Sequence, residues 1–354
     1  MTDDTRKITK STSVPPKNPA PHATKKISIR SGRTSPTHPR ISVVGRGGAG
    51  ANGIHRLMEM GALEMGFDLC VVETDEKHLV QIPAPRMILI GGRILRSLGT
   101  GGDPELGRRT LLEEKQGIMD FIGDSKLVFV VTSMGGGTGT GASPVVARLA
   151  RDQGALTLGM AYLPFEEESG TTLSIVIQGL PVFRAVCDQV FLFPNRKLST
   201  SEWRTDTGTG FRWMDEQMLK GMMALAYPLL MPALVRTNRE DLRLAFQEGA
   251  FATMGYGQSE GKPPNAPKAA ERALRHRLLA DYDLKEARGA IVSVIGDGSL
   301  QADDAESAVE LVTRQLNPGA RVVWSAVKTI STMAEGTVGV CAILTGLGIP
   351  RLEA

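Results

Sequence analysis

The stretch Gly135-Gly136-Gly137-Thr138-Gly139-Thr140-Gly141 stands between an apolar run that reads as a buried strand, Leu127–Val131, and a helical stretch expected to begin near Ala142. Five glycines let consecutive backbone N–H groups turn inward, two threonine hydroxyls add donors, and the helix contributes the positive end of its dipole. The run is read as a polyphosphate cradle rather than as glycine used only for packing. It contains no GxxxxGK[ST], so it is not a P-loop.

Upstream, Gly45-Arg46-Gly47-Gly48-Ala49-Gly50 also follows a strand and opens a helix, and the acid Glu73 ends the next apolar run. That satisfies the dinucleotide fingerprint GxGxxG with its acid, so a dinucleotide-dependent oxidoreductase is one reading. The second glycine cluster argues against it, because a nicotinamide enzyme has no use for another phosphate cradle.

Around these clusters, Ile41–Val44, Leu69–Val72, Leu127–Val131, Leu156–Met160 and Val190–Phe193 read as buried strands, each followed by a turn and a helix-like segment. This is the βαβ pattern of an α/β fold with a parallel sheet covered on both faces. A long apolar helical stretch is expected from Arg212 to about Leu230, within a central-helix segment 211–235, then a helix at Glu240–Gly249. A second, α+β part holds strands at Gly289–Ile295, Ala320–Val327 and Thr337–Thr345, with a helix over Asp304–Leu316. Residues 257–268 read as a loop by composition. The domains are thus 1–40, 41–210, the helix 211–235, and 236–354.

The chain has 354 residues, 42% hydrophobic and 22% charged, enough for one large or two ordinary cores. Its three cysteines, Cys70, Cys187 and Cys341, form no metal knuckle or disulfide framework, which points to a reducing, cytoplasmic setting. Residues 1–40 hold nine Lys/Arg against two Asp, a net of +7, which leaves −4 for 41–354 out of the total of +3. Lacking Phe, Tyr and Trp, this segment is expected to be a disordered basic tail with a reach of roughly 35 Å; an organelle transit peptide is the alternative. The longest uncharged run, Gly221–Val235, is fifteen residues with Pro228 and Pro232 inside it. It is too short to span a bilayer, so no transmembrane segment is expected. The apolar part Met222–Leu234 is read as buried helix packing. His55 and His78 have no partners at metal-ligand spacing, and no protein metal site is expected.

The run GGGTGTG resembles the signature of the tubulin/FtsZ superfamily, and the similarity to FtsZ extends over essentially all of 41–350. The resemblance implies a GTP-binding parallel-sheet domain joined by a long central helix to an α+β C-terminal domain. It also implies GTP/GDP with Mg²⁺ held through the phosphates and water, and a head-to-tail polymer of the chain with itself, in prokaryotic cell division. Carried over motif by motif, Gly47, Gly48 and Asn52 touch nucleotide, as does Asp75 after the second strand. Gly99-Thr100-Gly101 belong to the γ-phosphate-sensing loop, with Thr100 and Asp103 where FtsZ usually has Ala and Asn. Gly135 to Gly141 hold phosphates; Glu168 meets the ribose; Asn195, Phe211 and Asp215 contact, stack on and read guanine. A carboxylate facing the guanine N1–H and amine would find no such donors on adenine.

Departures accompany the match. After Glu168 the family has a basic run with a nucleotide-contacting Arg, whereas Ser169-Gly170-Thr171-Thr172 stand here, so a cation is expected to be missing. FtsZ inserts Asn-x-Asp-x-x-Asp into its neighbour's nucleotide site; Arg236-Thr237-Asn238-Arg239-Glu240-Asp241 replaces it. Asp241 and Asn238 are the catalytic candidates, with slow hydrolysis expected because Asn238 cannot polarise water as a carboxylate does. Glu240 is read as a solvated helix-start acid. The sequence ends at Ala354, where FtsZ proteins carry a linker and a recruiting peptide. The bland reading of the tail 1–40 is a solvated segment that keeps the protein soluble; the functional one is attachment to an anionic membrane or a nucleic acid, weakening with added salt. A regulatory homologue that caps or mixes into an ordinary FtsZ polymer is the alternative function.

Overall fold

The computed structural model describes residues 39–82, 84–91, 95, 99–199, 203, 206–247, 249, 251–261, 264–329 and 333–348. The basic tail, apart from Pro39 and Arg40, lies outside the described residues, and so do the expectations for its order and partners.

The first half alternates strand and helix: β1 (Ile41–Arg46), α1 (Gly47–Glu59), β2 (Phe67–Glu73), α2 (Glu76–Val80), β3 (Arg86–Leu89), α3 (Pro104–Glu113), α4 (Gln116–Ile122), β4 (Leu127–Ser133), α5 (Gly137–Asp152), β5 (Leu156–Leu163), α6 (Gly170–Val186) and β6 (Gln189–Pro194). Then come α7 (Thr207–Leu230), β7 (Ala233–Val235), α8 (Arg239–Phe246), β8 (Phe251–Glu260), α9 (Ala266–Leu274), β9 (Gly289–Gly296), α10 (Ala302–Thr313), β10 (Arg321–Lys328) and β11 (Thr337–Leu347).

The strands lie in the order β3-β2-β1-β4-β5-β6-β8-β11-β9-β10-β7. From β3 to β6 every pairing is parallel, with Val44 between Cys70 and Val130 in register. Parallel neighbours place every strand's C-terminal end on one edge, and the loops that follow those ends gather there. Beyond β6 the sheet is mixed: β11 runs antiparallel to β8 and β9, while β9 and β10 are parallel. Among the described residues β6 and β8 pair, in parallel, at Phe191 and Ala252.

Both faces of the first half are covered. Val43, Leu69 and Phe129 pack with α1 and α7, whereas Val44, Val72 and Val130 pack with α3 to α6. Helix α7 lies across both halves on the first of these faces, its Met222 and Leu225 joining Ile291 and Ile343 of the second half.

Four expectations need correction. The central helix runs 207–230: it ends at Leu230, where the apolar stretch is expected to end, and not at the 235 that bounds the central segment, and it begins before 211. Asp206 caps it, accepting from Thr209 N at 3.1 Å, and it stops because Met231, extended at φ −109° and ψ 155°, precedes Pro232. The buried part of Met222–Leu234 packs on α1 and on the strands rather than mainly on other helices, and Leu234 on β7 is exposed. Residues 257–268 are not a loop throughout: β8 continues to Glu260, paired with Thr337, and α9 starts at Ala266. Gly255 and Gly257 are there because α9 lies on them; a Cβ would come within 2.0 Å of Ala273 O and 2.1 Å of Ala269 O. Finally, α5 begins at Gly137, so the glycine run is itself the helix's first turn. Among the described residues no helix is long and apolar enough to cross a membrane.

Candidate functional site

The C-terminal edge of the parallel strands holds a cavity of about 310 Å³ lined by Gly135, Gly136, Glu168, Asn195 and Phe211 together with Arg56 and Tyr162. Two helices start against this edge without a cap. Among the described residues no side chain caps the first N–H groups of α1, preceded by Arg46, or of α5, preceded by Gly136, and neither helix has an acid in its first turn. The first N–H groups of a helix lack partners within it, and here no side chain supplies them, which suits an anion.

The five glycines of the cradle divide between two tasks. Gly136 faces open space, and Gly135, at φ +106°, donates its N–H to Thr140 Oγ1 at 2.9 Å. The other three permit contact with backbone: a Cβ on Gly137 would lie 2.6 Å from Asp103 N, on Gly139 2.2 Å from Ser133 O, and on Gly141 1.8 Å from Pro104 O. Packing therefore explains more of the motif than a cradle of inward N–H groups does. Thr140 braces the loop, and Thr138 Oγ1 lies 2.8 Å from Thr74 Oγ1 and 3.3 Å from Thr100 Oγ1.

That hydroxyl cluster ties the glycine run to the segment Gly99-Thr100-Gly101, where Gly99, Gly101 and Gly102 all have positive φ. In the first cluster Gly47 has φ +65°, and a Cβ there would press on Gly139 N at 3.1 Å. Asn52 is exposed on α1, Gly48 lies beside His78, and Asp75 serves as the cap of α2, accepting from Lys77 N and His78 N at 2.9 and 3.3 Å. His78 Nδ1 in turn lies 3.3 Å from Glu73 Oε2, and His55 pairs with Glu59. Arg46 is wholly buried, its guanidinium without a hydrogen-bond partner; burial lowers its pKa to about 10 against the opposing pull of Glu73.

The base end is aromatic and polar. Phe211 meets Phe165 edge on at 6.1 Å. Asn195 Oδ1 is buried and has no hydrogen-bond partner among the described residues, which leaves an acceptor open to a donor. Glu168 Oε1 accepts from Phe165 N at 3.0 Å, and Ser169 caps α6, which accounts for that departure locally. Asp215 is fully buried behind Tyr162 and Arg56, bonded to both. Neither partner was expected from sequence. Arg56 sits four residues after Asn52, on the same face of α1, and it puts a cation in the cavity where none was anticipated.

The two catalytic candidates lie elsewhere. Asn238 Oδ1 accepts from Glu240 N and Asp241 N at 2.8 and 2.9 Å, and Asp241 Oδ2 accepts from Asn238 N at 3.1 Å, a capping box on α8. Glu240 is exposed and pairs with Arg239 and Arg243. Arg239 Nη1 donates to Gly154 O at 3.1 Å, just before β5 begins, so this loop is at the strands' N-terminal edge, opposite the cavity. Among the described residues no group of three or more His, Cys, Asp or Glu could hold a metal ion.

Residues 40–201 match the family model for the GTPase domain of the Tubulin/FtsZ family, and residues 250–348 match that for the C-terminal domain of the FtsZ family. The chain is 35% identical over 308 residues to cell division protein FtsZ 1 of Pyrococcus horikoshii, covering 87% of this chain and 81% of that one. It is 35% identical over 309 residues to cell division protein FtsZ 2 of Haloferax volcanii, covering 87% and 76%. Its fold is similar to that of an FtsZ dimer from M. jannaschii, with a TM-score of 0.76 and 33% identity over 88% of this chain and 89% of that one. It also shares the fold of CetZ2 from Haloferax volcanii, solved as a GTPγS-bound protofilament, with a TM-score of 0.73 and 22% identity over 88% and 94%.

Proposed function

The chain belongs to the tubulin/FtsZ family, and from that premise we propose that it is a GTP-binding cytoskeletal protein of cell division that assembles head to tail, each subunit completing the hydrolytic site of the next. One observation carries the trans arrangement. Within a subunit, the loop 236–241 and the cavity lie at opposite ends of β5, about 25 Å apart for a strand of that length. Asp241 reaches no nucleotide of its own and acts on the one held by a neighbour stacked beneath.

The pocket suits guanosine di- and triphosphate. The uncapped starts of α1 and α5 take the phosphates, with Gly47, Gly48, Asn52 and the 99–101 loop around them and Mg²⁺ held through phosphate and water. Glu168 takes the ribose, Phe211 stacks, Asn195 Oδ1 accepts from guanine's amine, and the Asp215 carboxylate, closed off behind Tyr162 and Arg56, accepts from N1–H once the entering base displaces Arg56. Hydrolysis is slow because Asn238 stands where a second carboxylate is expected; that replacement is also what favours the alternative of a regulatory homologue mixing into an ordinary FtsZ polymer. Three buried free cysteines support a reducing, cytoplasmic setting. The test is displacement of a fluorescent GTP analogue. GTP and GDP should compete well ahead of ATP, and Asp215→Ala should weaken GTP and narrow the gap; equal competition by ATP in the wild type refutes the base assignment.

A further inference from the structure

Asp215 does not stand open to the cavity. Its Oδ1 accepts from the phenol of Tyr162, next to last in β5, and its Oδ2 from Arg56 Nε on α1. Tyr162 lines the cavity, and its ring rests against Phe193 with centroids 6.2 Å apart. Room for the phenol comes from α1: a Cβ on Gly53 would lie 3.1 Å from Tyr162 Oη and 3.7 Å from Asp215 Oδ1. The backbone of one helix is thus cut away where a strand residue meets the acid of another helix.

We propose that Tyr162 is a specificity-determining positioning residue of the base pocket: through Oδ1 it fixes the Asp215 carboxylate behind the cavity wall, so that Oδ2, freed from Arg56 as the base enters, accepts the guanine N1–H. The assignment rests on the reading of Asp215 as the base-reading acid. A carboxylate removed from water favours its protonated form. Burial raises the Asp215 pKa, while Arg56 from α1, the Tyr162 hydroxyl from β5 and Arg212 on α7 itself pull it back; these are the charged and titratable groups that face it. Tyr162 remains a donor throughout, because burial and the neighbouring carboxylate raise its own pKa well above the ordinary phenol value. Once protonated, Asp215 carries a donor where guanine needs acceptors. GTP binding is therefore lost as pH falls through the Asp215 titration, and Tyr162 keeps that loss at lower pH.

The test uses the full chain and nucleotide displacement measured across pH. Tyr162→Phe keeps the ring and removes the donor. Its acid limb for GTP should move to higher pH, with affinity at mildly acidic pH down about tenfold, the worth of a hydrogen bond to a charged group, and ATP affinity unchanged. Phe193→Leu, which perturbs the same packing, should leave the limb in place. In Asp215→Asn, with no carboxylate to titrate, adding Tyr162→Phe should shift nothing further. If Asp215→Asn abolishes the preference for GTP while Tyr162→Phe gives the wild-type pH curve, the role of Tyr162 is overturned and the base reading stands. If Asp215→Asn keeps the full preference, the base reading fails and takes the role of Tyr162 with it.

Discussion

Helices α5 and α8 begin at opposite edges of the same parallel strands, and they begin differently. The start of α5 has a glycine before it, no acid in its first turn and, among the described residues, no side chain capping its N–H groups. The start of α8 is closed by Asn238 and Asp241, each bonded to the other's backbone, with Glu240 adding negative charge. A capped helix end is already satisfied, so α8 offers a neighbour only a side chain. An uncapped end keeps its N–H groups and its partial positive charge for something from outside. The proposed function puts phosphate at one end and a water-orienting carboxylate at the other.

Substitutions at α8 should have the largest effect. Asp241→Asn retains an oxygen that can cap but removes the charge. GTP turnover by filaments of the variant should fall by about 10²–10⁴, with nucleotide affinity unchanged because the variant's own pocket is intact. Asn238→Asp, an equally good cap, should raise turnover above wild type. Wild-type turnover by Asp241→Asn would break the comparison at its α8 end.

At the α5 end, Gly136→Asp would give that helix the kind of cap α8 has. The backbone there, φ −98° and ψ 160°, accepts any residue, and nothing lies within 4 Å of the new Cβ. Calorimetry should show a melting temperature at or above wild type, from a cap worth about 1 kcal/mol. GTP affinity should drop about a hundredfold as the carboxylate takes the N–H groups and repels phosphate. Undiminished affinity would mean that the phosphates sit elsewhere.

The smallest effect is expected at Thr100→Ala. Its hydroxyl lies 3.3 Å from Thr138 Oγ1 in the first turn of α5. Losing a neutral hydrogen bond should cost about 1 kcal/mol of stability. GTP affinity should stay level or rise slightly, since Thr138 becomes available to phosphate. A fall in affinity would place the Thr100 hydroxyl on the nucleotide itself.

Much of this was legible in the sequence, for physical reasons. The five parallel strands foreseen are continuous β-branched and apolar runs because both their faces are buried, and the glycine run announces a backbone that something approaches closely. What approaches was only partly legible: Gly137, Gly139 and Gly141 admit Asp103, Ser133 and Pro104, contacts between segments far apart in the chain. Strand β8 was hidden because Gly, Ser and Glu near its end satisfy pairing with β11 and the weight of α9, not local propensity. Tyr162 and Arg56 were missed for a similar reason. Nothing local marks a tyrosine in a strand as facing an acid more than fifty residues away. Asn238 was read as a lost carboxylate, and its second use as a cap emerged only with the geometry of α8.

Among the described residues one pair, Phe191 and Ala252, joins β6 to β8 where the parallel half of the sheet meets the mixed half. Side chains add to that junction: Met222 and Leu225 of α7 bear on Ile291 and Ile343, Arg184 Nη2 donates to Gly249 O at 2.6 Å, and Lys197 and Arg243 pair with Asp281 and Asp188. Apolar packing weakens on cooling while paired strands hold. Cooling therefore loosens the α7 part of this junction first, while its polar ties and the paired strands on either side hold.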